Sequence, residues 1–195
     1  MRKPKRTRPC LDLAYKQMID WMIDVMTDGF HPLIVKTLTW PNQAATQAFA
    51  QSLATRPALS HAMVSLHGGL GAGKTTFVRH LLSALGVTGR IKSPTYAVVE
   101  PYTLGTLNIW HFDFYRFNDP NEWEEAGFRD IFASPGLKLV EWPEKAGVYL
   151  PQTDVLISIE VLADAVDMTH ATDQANAARG LTLSAFTPTG KALLA

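Results

Sequence analysis

The chain has 195 residues, 47% of them apolar, enough to bury one good core, so a single domain is the default. Its formal net charge is zero, but Arg2, Lys3, Lys5, Arg6 and Arg8 crowd the first eight residues. Without them 13 basic residues face 18 acidic ones, a body of net charge −5 that is no general nucleic-acid binder. Cys10 is the only cysteine, which excludes an internal disulfide and a thiolate metal cluster and suits a reducing cytoplasm.

The basic start reads as a solvated, solubilising tail rather than an RNA-contacting arm. Residues 11–27 are predicted as a helix, with Leu11, Met18, Met22 and Val25 on one side and charges opposite. Asp12, Lys16, Asp20 and Asp24 interrupt it, so it is neither a membrane span nor a secretory leader, and a soluble, cytoplasmic protein is expected. The break at 28–32 (Asp-Gly-Phe-His-Pro) marks residues 1–32 as an appendage and 33–195 as the main domain.

Residues 33–38 are predicted as a first strand, followed by a helix starting at Thr39 or Asn42 and ending before Pro57. A short buried strand over 61–66 then runs into Gly68-Gly69-Leu70-Gly71-Ala72-Gly73-Lys74-Thr75. After it Phe77, Val78, Leu81, Leu82 and Leu85 recur at helical spacing up to Gly86. Strand, glycine loop and helix are the order that phosphate binding requires. Glycines let backbone N–H groups turn inward, and the positive end of the helix attracts the anion. The pattern GxxxxGK[ST] fits residues 68–75, and the expected nucleotide-binding set is Gly69, Leu70, Gly71, Ala72, Gly73, Lys74, Thr75 and the adjoining Thr76. Lys74 is expected on the β and γ phosphates of ATP and the Thr75 hydroxyl on Mg²⁺.

Farther on, 96–102 and 107–112 are predicted as a hairpin joined by Thr103–Thr106, and Asp119 as the cap of a helix opened by Pro120. Residues 137–140, 155–161 and 181–185 complete the strands. The fold class is therefore α/β, a single P-loop domain whose mixed central sheet is flanked by helices. Asp113 and Glu141 each end an apolar strand, at the carboxyl edge where ligands bind in open α/β sheets. They are the candidate acids for ordering Mg²⁺ and the attacking group. His111 is read as turned to the strand's other face from Asp113 and packed there. Arg129 is read as a surface ion-pair former, and Trp40, Asn42 and Thr46 as candidates for the base pocket.

Several motifs together resemble one family, the bacterial TsaE ATPases. They are Leu-Gly-Ala-Gly-Lys-Thr-Thr at 70–76, Lys-Ser-Pro-Thr-Tyr at 92–96, Val-Glu-Pro-Tyr at 99–102, His-Phe-Asp-Phe-Tyr-Arg at 111–116 and Val-Glu-Trp-Pro at 140–143. The resemblance covers about residues 33–162. It implies a weak Mg²⁺-dependent ATPase that cycles a complex of TsaB and TsaD rather than transferring the group itself. That complex carries a threonylcarbamoyl group to the adenosine beside the anticodon, so tRNA is met only indirectly. By the same resemblance Lys74 matches the phosphate-binding lysine and Thr75 and Glu141 the Mg²⁺ ligands. Asp113 and Thr76 match residues important for activity, and 92–96 a switch-like loop. One departure stands out, because the family usually has an acid at the position of Gly69.

Two other classes compete with this one. A small-molecule kinase is the alternative, although its lid would need several arginines and Arg90, Arg116 and Arg129 are scattered. A guanine-reading switch would need an [NT]KxD motif, which the sequence does not contain.

Overall fold

Two strands buried on both faces organise the molecule. β2 (Met63–His67) and β5 (Leu137–Glu141) are buried along nearly their whole length, as apolar runs must be when both faces of a sheet are covered. The computed structural model describes residues 31–162 and 177–195, which belong to the compact unit His31–Ala195. The remaining strands are β1 (Ile34–Trp40), β3 (Val99–Leu104), β4 (Leu107–Asp113), β6 (Val155–Val161) and β7 (Arg179–Ala185). They form one seven-stranded sheet in the order β1-β7-β6-β2-β5-β4-β3. The four central strands, β6, β2, β5 and β4, run parallel. β3 pairs antiparallel with β4 at one edge, and β7 and β1 pair antiparallel at the other. This is the mixed α/β sheet that the sequence predicts.

Helices cover both faces. α1 (Gln43–Ala54) begins at Asn42, whose side chain accepts the Ala45 N–H at 3.1 Å, and α2 (Lys74–Leu85) ends at Gly86 in the left-handed conformation. Phe77, Val78, Leu81 and Leu82 on α2 join Leu53, Leu66, Leu139 and Ile157 in one fully buried cluster. Each of these side chains contributes about 1.5–3 kcal/mol by leaving water. A second cluster is aromatic: Phe112, Phe114, Phe117 and Trp123 pack with Phe128 on the approach to α4 (Arg129–Ala133). α3 (Asn121–Glu125) precedes it, and α5 (Pro188–Leu194) closes the chain.

Several boundaries differ from the sequence reading. β2 starts at Met63 because Pro57–His61 forms a 3₁₀ turn that Ala62 closes. β3 starts at Val99 because Val98 has φ +67°, a conformation that cannot continue a strand. The hairpin loop is the two residues Gly105 and Thr106, not four, with Gly105 at φ +60°. α3 begins one residue after Pro120, which takes the N-cap position predicted for Asp119; Asp119 stands just before it, where its carboxylate accepts the Asn121 N–H at 2.9 Å and Glu122 accepts the Asp119 N–H at 3.0 Å. α4 and α5 were not predicted. The predicted helix over 11–27 and the basic tail lie outside the described residues. Among the described residues no helix is long and apolar enough to cross a membrane.

Candidate nucleotide site

The glycine loop joins β2 to α2 in the predicted order, and its backbone explains its residues. Gly68, Gly71 and Gly73 have φ of +145°, +77° and +111°. At Gly68 a Cβ would lie 2.4 Å from the Ile159 carbonyl oxygen, so a side chain is excluded there by contact as well as by conformation. Gly73 caps α2 without any side chain, which leaves the N–H groups of the first helical turn free of intrahelical partners and facing outward from the helix end.

Beside this loop lies a cleft of about 350 Å³. Loop residues Leu70, Gly71 and Gly73, helix residues Lys74, Thr75, Thr76 and Arg79, and the acids Asp113 and Glu141 line it, together with Ser93, Thr95, Tyr115 and Trp142. Of the predicted nucleotide set, Gly69 and Ala72 do not line it. Nor do Trp40, Asn42 and Thr46: Trp40 is packed against Phe49 and Phe77, Asn42 caps α1, and Thr46 is buried.

Register brings the acids together. Asp113 pairs with Glu141 across β4 and β5, and both are nearly inaccessible, 3% and 2% exposed. Glu141 accepts the Thr75 hydroxyl at 2.8 Å through Oε2 and meets His111 Nε2 at 2.8 Å through Oε1. The expectation for His111 was therefore wrong in its direction. Residues two apart on a strand share a face, so His111 lies on the same side as Asp113 and reaches the neighbouring strand's acid. Asp113 is bound otherwise. Its Oδ2 accepts the Ser93 hydroxyl and, at 2.7 Å, the Thr95 hydroxyl, and its Oδ1 accepts the Tyr115 N–H at 3.0 Å. It clasps the 92–96 loop to the end of β4.

Lys74 rests on the loop itself. Its ammonium donates to the carbonyls of Gly68 at 2.6 Å and Gly69 at 2.9 Å, and lies 3.7 Å from the centroid of the Trp142 ring. Burial lowers its pKa below the ordinary lysine value, while Glu141, Glu144 and Asp113 pull the other way. Trp142 is held at φ +59°, an unusual conformation for an aromatic residue, and its ring also meets Tyr115 at 5.1 Å.

One buried pair was invisible in the sequence. His67 Nε2 lies 3.8 Å from Glu144 Oε1, and Glu144 Oε2 is buried with no hydrogen-bond partner. Burial pushes the Glu144 carboxyl up to about 7. Burial, and after it the Lys74 charge, pushes the His67 imidazole down to about 4. Both effects favour the uncharged forms, so the pair is a contact of weakly charged groups near neutrality rather than a firm ion pair. Arg129 does form the expected surface pair, with Glu124, and Arg116 lies 4.1 Å over the ring of Tyr96.

The oxygen donors Thr75, Glu141 and Asp113 suit a hard divalent ion such as Mg²⁺. Among the described residues no group of three or more His, Cys, Asp or Glu side chains is arranged to hold a metal. A site of this composition fits Mg²⁺ only in company with phosphate oxygens, as nucleotide sites do.

Comparison with known proteins identifies the family. The sequence model of the family described as threonylcarbamoyl adenosine biosynthesis protein TsaE matches residues 40–170. A Haemophilus influenzae protein named tRNA threonylcarbamoyladenosine biosynthesis protein TsaE is 48% identical over 103 residues, 53% of this chain and 65% of that protein. The match thus spans just under two thirds of that relative's length. A Bacillus subtilis protein of the same name is 36% identical over 132 residues, 67% of this chain and 82% of its own. The crystal structure of Bacillus subtilis YdiB has a TM-score of 0.61 and 29% identity, covering 83% of this chain and 93% of that one. With the family model matched over more than half of its length and a relative of that name covered to 82%, the chain belongs to the TsaE family.

Proposed function

We propose that this chain binds MgATP and hydrolyses it slowly as a subunit of tRNA threonylcarbamoyladenosine biosynthesis, cycling a TsaB–TsaD complex without transferring the group itself. The observation that carries the reading is the convergence of Lys74, Thr75 and Glu141 at one loop, with Thr75 Oγ1 already 2.8 Å from Glu141 Oε2. Lys74 exchanges its two loop carbonyls for phosphate oxygens, and the open first turn of α2 supplies N–H donors to the same anion. Thr75 and Glu141 are the residues that would hold Mg²⁺, and Thr76 follows them along the cleft wall. The chemistry such an ion would supply there is neutralisation of phosphate charge. Asp113 keeps the 92–96 loop seated beside the transferred phosphate through the Ser93 and Thr95 hydroxyls.

The kinase alternative draws no support from the cleft, whose cationic lining is Lys74 and Arg79, while Arg116 and Arg129 are engaged elsewhere. The test is phosphate release by the purified chain, alone and with TsaB and TsaD. Slow release that the two proteins stimulate is expected, together with repeated rounds of tRNA modification only when this chain and ATP are present. Failure to bind either protein in any nucleotide state overturns the partner assignment.

A further inference from the structure

Arg179 opens β7, outside the segment that matches the TsaE family model, and is only 7% exposed. Its Nε donates to the Ala72 carbonyl at 2.7 Å and its Nη1 to the Ala177 carbonyl at 2.6 Å. The guanidinium also lies against the phosphate loop itself, since a Cβ on Gly73 would come 3.0 Å from Nε and 3.4 Å from Cδ. A planar guanidinium presents its N–H groups at fixed angles, so two carbonyls from separate segments define where it sits.

The Ala72–Gly73 peptide is trans, and in a trans peptide the C=O and the following N–H point in opposite directions. Binding the Ala72 carbonyl to Arg179 therefore aims the Gly73 N–H away from Arg179. Gly73 lines the cleft, whereas Arg179 and Ala72 do not. A carbonyl that accepts from a cation also polarises its peptide, which strengthens the N–H on the other side as a donor.

We propose that Arg179 is a positioning residue for the phosphate site: it fixes the 72–73 peptide so that the Gly73 N–H is presented to a polyphosphate anion. The proposal rests on the nucleotide-binding reading above and deepens it. Arg179 does not line the cleft, so its loss should weaken binding of the phosphates more than it slows the reaction of bound ATP.

The experiment compares Arg179→Met and Arg179→Lys with the wild type in the full chain, by MgATP affinity, steady-state kinetics and hydrogen exchange without nucleotide. Arg179→Met should raise the Kd and KM for MgATP about tenfold or more and change kcat less than about threefold. Arg179→Lys, which keeps the charge and one donor, should recover part of the affinity. Amides of the 69–75 loop should exchange faster in Arg179→Met while those of β2 and β5 keep wild-type protection. Wild-type affinity with unchanged loop exchange overturns the proposal. So does exchange that rises equally in the loop and the core, which would mark a general structural role. Should Arg179→Met not fold, Arg179→Lys decides by the same affinity and exchange readings. A wild-type chain that binds no MgATP instead overturns the nucleotide reading itself.

Discussion

The phosphate loop is held from two sides by different means. Toward β5 and β4 the contacts are between side chains: Thr75 with Glu141 and Lys74 with the Trp142 ring, while Asp113 at the end of β4 holds the adjacent 92–96 loop through the hydroxyls of Ser93 and Thr95. Toward β6 and β7 it is the loop's own backbone that is held. Gly68 abuts the Ile159 carbonyl, and Arg179 binds the carbonyl of Ala72. Side-chain contacts of the first kind can be exchanged for a ligand's oxygens, because a hydroxyl or ammonium rotates. The second kind has no such freedom and sets the loop's shape. On the proposed function, reaction chemistry would belong to one side and geometry to the other, and substitutions on the two sides should fail in different ways.

The largest effect is expected on the chemical side. Glu141→Gln keeps the shape of the side chain but removes its charge, and should lower ATP turnover about 10²–10³-fold while leaving nucleotide affinity within a few-fold. Separate measurement of kcat and of Kd distinguishes the two. Turnover at the wild-type rate would refute the assignment of Glu141 to the metal.

On the geometric side, Gly68→Ala meets a backbone oxygen at 2.4 Å in a conformation, φ +145°, that side chains rarely adopt. Neither the strand that carries Ile159 nor the loop can yield cheaply, so the variant should lose about 2–4 kcal/mol in urea unfolding. A variant as stable as the wild type would mean that the loop is not seated on β6 as tightly as the contact implies.

The same division explains what could be read from sequence. Strand, glycine loop and helix are contiguous, and α2 ends at Gly86 as its spacing predicts. Glu141 was legible because it ends an apolar run. The face of His111 was misjudged by a simple error of period, and with it the contact to Glu141 was missed. Arg179 meets Ala72 across 107 residues, and no local pattern marks which distant arginine will lie under a loop. His67 and Glu144 are hidden for the same reason. α5, by contrast, carried a local signal, Thr187 before Pro188; the Thr187 hydroxyl accepts the Gly190 N–H at 3.1 Å.

Charge on the chemical side should also make stability depend on pH there, through Glu144 and His67. The side that binds more protons when unfolded gains stability as pH rises. Folded Glu144 keeps its proton to about pH 7, against a reference of 4.5, so its contribution is present below 4.5 and lost as pH climbs to 7. His67 is the reverse: with a folded value of about 4 against 6.5, its contribution is present above 6.5 and lost as pH falls to 4. Between 4.5 and 6.5 the two offset. Glu144→Gln removes the first and leaves the second, so its stability should rise more steeply than the wild type's over pH 4–6.5. At pH 8 it should exceed the wild type by on the order of 2–3 kcal/mol. Denaturant midpoints across pH 4–8 check both. Parallel curves for the two proteins would show that Glu144 is not the titrating group.

The smallest effect is expected one residue from the severe one. Gly69 has no atom within 4 Å of where a Cβ would stand, and its φ lies outside the left-handed range, so nothing in its surroundings requires glycine. Its carbonyl binds the Lys74 ammonium, and a backbone carbonyl is kept by any residue. Gly69→Asp should therefore fold with stability within about 0.5 kcal/mol of the wild type, as substitutions in open surroundings do. The added carboxylate would stand near Lys74 and near the phosphates, attracting the one and repelling the other. ATP affinity should accordingly move little, by less than about fivefold, and the change should shrink as salt is raised if it is electrostatic. A loss of stability like that of Gly68→Ala would place the rigid part of the loop one residue farther along, and the seat on β6 would then have to include the Gly69 backbone as well.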